Sequence, residues 1–159
     1  CMTGWRLGYC GAPKEIIAAM NKIQSQSTTS TSSITMAAAV EAISGPQDFI
    51  TTHNNKFIKR RDLVVSKLNE IDGITCSKPD GAFYVYPNCY GILGKKTPNG
   101  VIISNDEDFM TYLLEEQGVA GVHGSAFGLS PYFRLSYATS DDILEDACNR
   151  IQTACSKLK

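Results

Sequence analysis

Apolar residues recur at helical spacing through the first third of the chain. Pro13 is followed by residues that fit one face of a helix: Ile16, Ile17, Met20 and Ile23. The same spacing resumes over residues 34–43, which are rich in alanine, and ends at Gly45. The pattern predicts two helices. Residues 5–10, apolar and aromatic between two glycines, predict a short strand ahead of them.

Residues 25–35 separate these helices and are almost all Ser, Thr and Gln. Hydroxyl side chains compete with the backbone for hydrogen bonds, so the stretch favours an irregular connection. It is either a flexible loop or a loop that lines a site, since compact domains seldom keep about 12 unstructured residues without a role.

A longer helical pattern covers residues 46–72 and ends at an Asp-Gly pair. Its apolar stripe consists of Ile50, Phe57, Val64, Leu68 and Ile71. With about 25 helical residues at 1.5 Å each, the helix would be about 37 Å long, enough to connect two domains. We therefore place a domain boundary on it.

The polar residues of this long helix favour ordinary structural roles. Lys59, Arg60 and Arg61 fall on its polar side, where a solvated face is favoured over a nucleic-acid patch because three charges on one turn are common. His53 lies near the apolar stripe, which favours a partly buried core histidine.

Strands and helices alternate through the rest of the chain. The predicted strands are residues 82–86, 119–122 and 132–138. A helix is predicted over residues 105–117, with Asn105 and Asp108 as a capping pair and Gly118 at its end. A few strands covered by two helices make a small α/β layer structure.

The last helix is predicted after Thr139 and Asp142, which form a second capping pair. Cys148 and Cys155 fall on its apolar face, so we interpret them as small core residues and not as a disulfide pair. Unpaired cysteines favour a reducing, cytoplasmic setting.

Charge and composition exclude several classes of function. The 159 residues include 15 Lys plus Arg and 16 Asp plus Glu, a net charge of -1, so no basic field is available to hold nucleic acid. The longest apolar runs fall far short of the roughly 20 residues that a membrane span needs. No CxxC pair occurs among the six cysteines, and with two histidines in the chain we expect no metal site.

Arg134 lies inside the predicted strand 132–138, on the face of Tyr132 and Ser136. A guanidinium in a strand needs a partner, because a buried, unpaired charge costs several kcal/mol, and no acidic residue lies beside it in sequence. Arg134 therefore either forks onto a ligand carboxylate, pairs with a distant acid, or is exposed on a polar sheet face.

Arg6 lies between Gly4 and Gly8, which permit close approach of a backbone or a ligand. Its residue type and surroundings fit either a phosphate site or a structural arginine stacked on Trp5.

His123 and Ser125 raise the question of a nucleophilic serine. Neighbours on a turn seldom have the required hydrogen-bond geometry, and the surrounding residues do not fit the G-x-S-x-G pattern. We therefore do not expect a Ser/His nucleophile.

Five segments, in order, resemble class I aminotransferases, the fold-type I enzymes that use pyridoxal 5′-phosphate. They are MTGWRLGY at 2–9, QSQST at 24–28, DGAFYVYP at 80–87, VHGSAFG at 122–128 and FRLSYATS at 133–140. The segment at 24–28 is similar to the bacterial aspartate aminotransferase branch. Several motifs in one order are far more specific than any single motif.

The resemblance implies roles for both arginines. Arg6 matches the family arginine that binds the cofactor phosphate, and Arg134 matches the one that binds the substrate α-carboxylate. The lysine that bonds to the cofactor falls upstream of Cys1 in this alignment, so the chain contains no expected catalytic residue and we expect it to be inactive alone. Because the chain starts at Cys1 with no start methionine or signal peptide, we interpret it as a piece of a longer protein, and the resemblance implies that this piece is the C-terminal portion.

The resemblance also implies a domain plan, in which residues 1–45 end the large cofactor-binding domain, 46–72 form the interdomain helix and 73–159 belong to the small α/β domain. The implied function is a homodimeric, cytoplasmic enzyme of amino-acid metabolism that moves the amino group of aspartate to 2-oxoglutarate. A prephenate or aromatic-acid aminotransferase is an alternative. An alternative of another class is the aminotransferase-like ligand-binding domain of a transcription regulator.

Overall fold

A computed structural model describes residues 2–159 of the chain. The chain divides into two compact units, Cys1–Thr51 and Thr52–Lys159. The second unit carries almost all of the buried apolar residues of the described part of the chain.

The first unit contains helix α1 (Lys14–Gln24) and helix α2 (Ser33–Ser44), joined by an irregular segment as predicted. Both predicted helices are confirmed. Their apolar residues remain largely exposed within the described chain, since α1 has no buried residue and α2 has only Thr35 and Ala39.

The strand predicted at residues 5–10 is wrong. Thr3–Trp5 form a 3-10 turn, the Trp5 N–H donates to the Met2 carbonyl at 3.0 Å, and Arg6 takes a left-handed conformation with φ 53°. A strand needs a neighbouring strand to complete its hydrogen bonds, and no described residue pairs with this segment.

Helix α3 (Asp48–Asn69) fulfils the long helical pattern with slightly shorter bounds, and the boundary between the two units falls within it. Its stripe is buried only in the C-terminal half, where Val64 and Leu68 enter the core. His53 is exposed, contrary to the expectation of a partly buried core histidine, because the core begins beyond it along the helix.

The sequence predicts a solvated basic face on α3, and this is correct for the exposed Lys59 but wrong for Arg60 and Arg61. The Arg60 Nε lies 2.8 Å from an oxygen of Asp141, and Arg61 donates to Asp62 at 2.9 Å and to the Pro79 carbonyl at 3.2 Å. Both arginines are partly buried, so they fasten α3 to other segments of the second unit.

The sheet of the second unit has three short antiparallel strands in the order β1-β3-β2. They are β1 (Tyr84–Val85), β2 (Val122–His123) and β3 (Phe133–Ser136). In register, Tyr84 lies opposite Ser136 and Val122 lies opposite Arg134. The predicted strands are therefore present but shorter than expected, and the second is shifted toward the C-terminus.

Two helices complete the second unit, α4 (Asp106–Gln117) and α5 (Asp141–Ser156). The predicted cap of α4 is confirmed, since the Asn105 side chain accepts from the Asp108 N–H at 2.8 Å and Gly118 ends the helix at φ 66°. The predicted cap of α5 is wrong, because Ser140 and not Thr139 holds the N-cap position.

The core of the second unit joins α3, α4, α5 and the sheet. Its fully buried members include Leu68, Val85, Ile92, Ile103, Phe109, Leu113, Phe133 and Ile151. The rings of Phe109 and Phe133 meet edge to face at 5.6 Å between centroids, an arrangement that aromatic pairs prefer.

Cys148 and Cys155 are buried in this core, as predicted, and neither forms a disulfide. Burial raises the pKa of Cys148 to about 11 and that of Cys155 to about 12. Both thiols therefore stay protonated near neutral pH and behave as small apolar groups.

We predict that Leu68→Ala lowers the free energy of unfolding by about 2–5 kcal/mol, because it removes a side chain with no exposed surface and leaves a cavity. Leu114→Ala, at a position 54% exposed, is the matched control and should cost far less. Urea unfolding of both variants measures the difference, and equal losses would contradict the core described above.

Candidate functional site

Arg134 lies on the central strand β3, and its guanidinium contacts two aromatic rings. Its Cζ is 4.4 Å from the centroid of Tyr84 and 4.5 Å from the centroid of Phe127. Both distances are within cation–π range. Tyr84 comes from β1, and Phe127 comes from the 3-10 turn Gly124–Phe127 that follows β2.

Arg134 has no acidic partner among residues 2–159. The ion pairs of the described chain involve other basic residues: Arg60, Arg61, Lys78, Lys95, Arg150 and Lys157. The side chain is also partly buried, so it is not simply exposed on a polar sheet face. Of the three interpretations that the sequence left open, a ligand carboxylate is the one these contacts favour.

The turn that carries Phe127 is closely packed at its first residue. Gly124 is buried, and a Cβ there would collide with the Leu129 carbonyl oxygen. The Tyr86 hydroxyl donates to the Gly124 carbonyl at 3.3 Å. The Tyr86 ring stacks on the Tyr132 ring, with 5.5 Å between the ring centroids. Gly124 is therefore required by the close approach of the chain.

Asp106 fastens this turn to the start of α4. It is 1% exposed, and its two carboxylate oxygens accept from the Ser125 N–H at 2.8 Å and from the Ser130 hydroxyl at 3.1 Å. Burial by itself would raise the pKa of Asp106, but these hydrogen bonds outweigh it and lower the pKa below its ordinary value. The carboxylate is ionised near neutral pH and is stabilised by neutral donors.

His123 and Ser125 do form a hydrogen bond, with 2.7 Å between Nδ1 and the hydroxyl oxygen. The sequence argument that such neighbours seldom have this geometry is wrong here, because the 3-10 turn brings the Ser125 side chain back toward His123. Asp106 accepts from the Ser125 backbone and not from the imidazole. Among residues 2–159 no carboxylate hydrogen-bonds the ring, so the pair lacks the third member of a catalytic triad.

Arg6 lies in the first unit, exposed, and donates to the Thr3 carbonyl at 3.4 Å. No cation–π contact joins it to Trp5 within the described chain, so the structural alternative for this residue is not observed. A Cβ built on Gly4 or on Gly8 would meet no atom within 4 Å. The backbone beside the guanidinium is therefore open to an anionic group, and the donor set fits a phosphate.

Three residues of this arrangement were not identified from the sequence: Tyr84, Phe127 and Asp106. Tyr84 and Phe127 belong to the motifs at 80–87 and 122–128, but spacing alone does not show that both rings reach Arg134. Asp106 stands in the first turn of a predicted helix, where an acid is ordinary. Its complete burial was the missing signal.

The structure also answers whether the described residues contain a metal-ligand cluster or a membrane-spanning helix. No group of three or more potential metal ligands occurs among residues 2–159. Within the same residues, none of the helices combines the length and the apolar character needed to span a bilayer.

The chain is similar to known proteins along almost its whole length. The family model for aminotransferases of class I and II matches residues 1–151. An aspartate/prephenate aminotransferase of Cereibacter sphaeroides is 58% identical over 158 residues, which cover 99% of this chain and 40% of that protein.

Solved structures agree. The crystal structure of the aspartate aminotransferase from Rhizobium meliloti superposes with a TM-score of 0.93 at 56% identity, over 99% of this chain and 40% of that one. A tetra mutant of the Thermus thermophilus aspartate aminotransferase gives 0.82 at 36% identity, over 96% and 40%. The chain thus spans about 40% of the length of these relatives. The expected resemblance and the α/β, fold-type I architecture are confirmed.

We predict that Asp106→Asn lowers the free energy of unfolding by about 1.5–3 kcal/mol at neutral pH, because it weakens two hydrogen bonds to a buried charge. The pKa of Asp106 is lowered on folding, so its contribution is complete above the unfolded value. It is lost as pH falls through the folded value.

The difference between Asp106 and Asp106→Asn proteins should therefore shrink below about pH 4. Glu107→Gln, at the exposed neighbouring position, is the control and should change stability little at any pH. Denaturant unfolding at several pH values measures both effects, and a pH-independent loss would show that the charge of Asp106 does not matter.

Proposed function

This chain belongs to the class I and II aminotransferases, and we propose that it is the C-terminal portion of a pyridoxal 5′-phosphate-dependent aspartate aminotransferase. The observation that carries the proposal is Arg134, a partly buried guanidinium with no acidic partner among residues 2–159. Its planar fork suits the two oxygens of a carboxylate, which both substrates of such an enzyme possess.

In this proposal Arg134 binds and orients the α-carboxylate of the amino acid or the 2-oxo acid. Arg6 binds the cofactor phosphate, supported by its exposed donors and the open backbone at Gly4 and Gly8. When bound, pyridoxal phosphate supplies a ring that accepts electrons as the Cα proton leaves. In this proposal the base that moves the proton is the cofactor lysine of the family, which the resemblance places upstream of Cys1.

The proposed substrates are aspartate and 2-oxoglutarate. A second candidate acts on prephenate, and it is favoured by the Cereibacter sphaeroides relative, whose name includes both aspartate and prephenate. Assays of the complete enzyme with aspartate against 2-oxoglutarate and with glutamate against prephenate separate the two, since turnover in the second assay supports the dual specificity.

The remaining parts of the proposal concern assembly and setting. We propose a cytoplasmic homodimer, in which residues 1–45 end the large cofactor-binding domain, 46–72 form the interdomain helix and 73–159 belong to the small domain. The buried, unpaired thiols of the described chain support a reducing compartment.

We predict that Arg134→Leu lowers kcat/KM for aspartate in the complete enzyme, by an amount that corresponds to about 3–5 kcal/mol of lost transition-state stabilisation. The reason is that the substrate carboxylate loses its charged, bidentate partner. Arg134→Lys keeps the charge but loses the fork, so it should recover only part of the activity. Cofactor absorbance should be unchanged in both variants. Steady-state kinetics measure the loss, and wild-type kinetics in Arg134→Leu would remove this residue from the site.

We predict that Arg6→Ala loosens the cofactor, because the phosphate loses its guanidinium donors. The measurement is the fraction of cofactor absorbance that the complete enzyme retains after dialysis. Lys22→Ala, which removes another exposed cation of the first unit, is the matched control and should retain the cofactor. Full retention by Arg6→Ala would contradict the assignment.

A further inference from the structure

We propose that Tyr84 and Phe127 are positioning residues that hold the guanidinium of Arg134 through two cation–π contacts and so set the affinity of the site for carboxylates. This inference rests on the proposed function of Arg134 as the carboxylate anchor. It adds two aromatic residues that act through the arginine, and it assigns them a measurable share of substrate binding.

The geometry explains why rings, and not an acid, surround this arginine. A guanidinium donates hydrogen bonds from its edge, whereas an aromatic ring attracts it through its face. Rings centred 4.4 Å and 4.5 Å from Cζ stabilise the charge, and no hydrogen bond or ion pair within residues 2–159 uses the guanidinium N–H groups of Arg134. A carboxylate partner would occupy the same donors and compete with the carboxylate of a ligand.

The ring of Tyr84 is held in place by its own strand. Tyr84 pairs in register with Ser136 of β3, two positions beyond Arg134. The preceding segment is fixed by Tyr137, whose N–H donates to the Phe83 carbonyl at 2.9 Å and whose hydroxyl donates to the Ala82 carbonyl at 2.9 Å. These bonds fix the backbone from which the Tyr84 ring projects, and none of them involves the Arg134 side chain.

The ring of Phe127 is held by the 3-10 turn described above. Phe127 is 51% exposed, yet its ring lies against the guanidinium and meets the Tyr86 ring edge to face at 6.4 Å. Asp106 anchors the turn through the Ser125 N–H, and Gly128 closes it at φ 77°. A half-exposed phenylalanine gains little from burial, so its contacts with Arg134 and with the Tyr86 ring are the interactions that favour this orientation.

The two rings approach the arginine from segments that are far apart in sequence and lie on opposite sides of β3. A free arginine side chain has many rotamers, and a ligand that bound it would have to bear the entropy cost of ordering it. The rings restrict the guanidinium before a ligand arrives. Loss of either ring should therefore weaken carboxylate binding while the arginine remains present.

The test is the dissociation constant of succinate, a simple dicarboxylate, for the complete holoenzyme and its variants. Phe127→Leu and Tyr84→Leu should each weaken binding by about 5- to 30-fold. Phe127→Tyr and Tyr84→Phe keep an aromatic face and should bind within about twofold of the wild type. Tyr90→Leu, which removes an exposed tyrosine with no contact to Arg134, is the matched control.

A double-mutant cycle separates action through the arginine from direct contact with the ligand. In the Arg134→Leu background, adding Phe127→Leu should cause no further loss of succinate binding. An additive loss would overturn the proposal, because it would mean that the ring acts independently of Arg134. Unchanged binding in Phe127→Leu and Tyr84→Leu, with a large loss in Arg134→Leu, would overturn the positioning role alone.

Wild-type binding in Arg134→Leu would instead overturn the proposed function of that residue, and the positioning role with it.

Kinetics and melting temperatures distinguish a positioning role from simple destabilisation of the protein. A positioning role raises KM for aspartate, is reversed by the aromatic replacements and leaves the melting temperature within the range of the Tyr90→Leu control. A drop in melting temperature that accompanies the loss of binding and is not rescued by Phe127→Tyr or Tyr84→Phe would count against the proposal.

Discussion

A partly buried guanidinium without a carboxylate partner is the constraint on which the candidate site depends. Taking a charge out of water costs several kcal/mol unless something replaces its hydration, and an ion pair is the usual replacement. At Arg134 the replacement is the faces of Tyr84 and Phe127. These cation–π contacts stabilise the cation, and no hydrogen bond within residues 2–159 uses its guanidinium N–H groups, which remain for a ligand.

Asp106 presents the complementary case close to the same turn. It is a buried carboxylate without a cation, and neutral donors from Ser125 and Ser130 satisfy it. Tyr86 lies where the fields of both charges act: burial raises its pKa, Asp106 raises it further, and Arg134 lowers it. The fold thus keeps two opposite charges in one region without pairing them. If Asp106 formed a salt bridge with Arg134, the guanidinium would lose the free donors that make it useful.

Much of the fold was predictable from local patterns, and the failures share a physical cause. The five α-helices of residues 2–159 follow apolar spacing and end signals such as Pro13, Asn105 and Gly118, which act within a few residues. The strand expected at residues 5–10 depended on a partner that local sequence does not specify. His53, predicted to be partly buried, is exposed because the core begins beyond it along the helix. Where the core begins is a property of the fold and not of the helical pattern.

The candidate site divides in the same way. An arginine inside a strand is an anomaly visible in sequence, and ordered motifs gave Arg6 and Arg134 specific roles by resemblance. The two rings that flank Arg134 could not be inferred, because a cation–π contact joins residues of different strands and turns and has no sequence spacing of its own. Likewise, the His123–Ser125 hydrogen bond follows from the backbone of a 3-10 turn that no local pattern had predicted. The sequence showed that the charge of Arg134 needs a partner, and the structure showed that its partners are aromatic rings. That difference matters for function, because aromatic partners leave the charge free to bind where an acidic partner would have neutralised it.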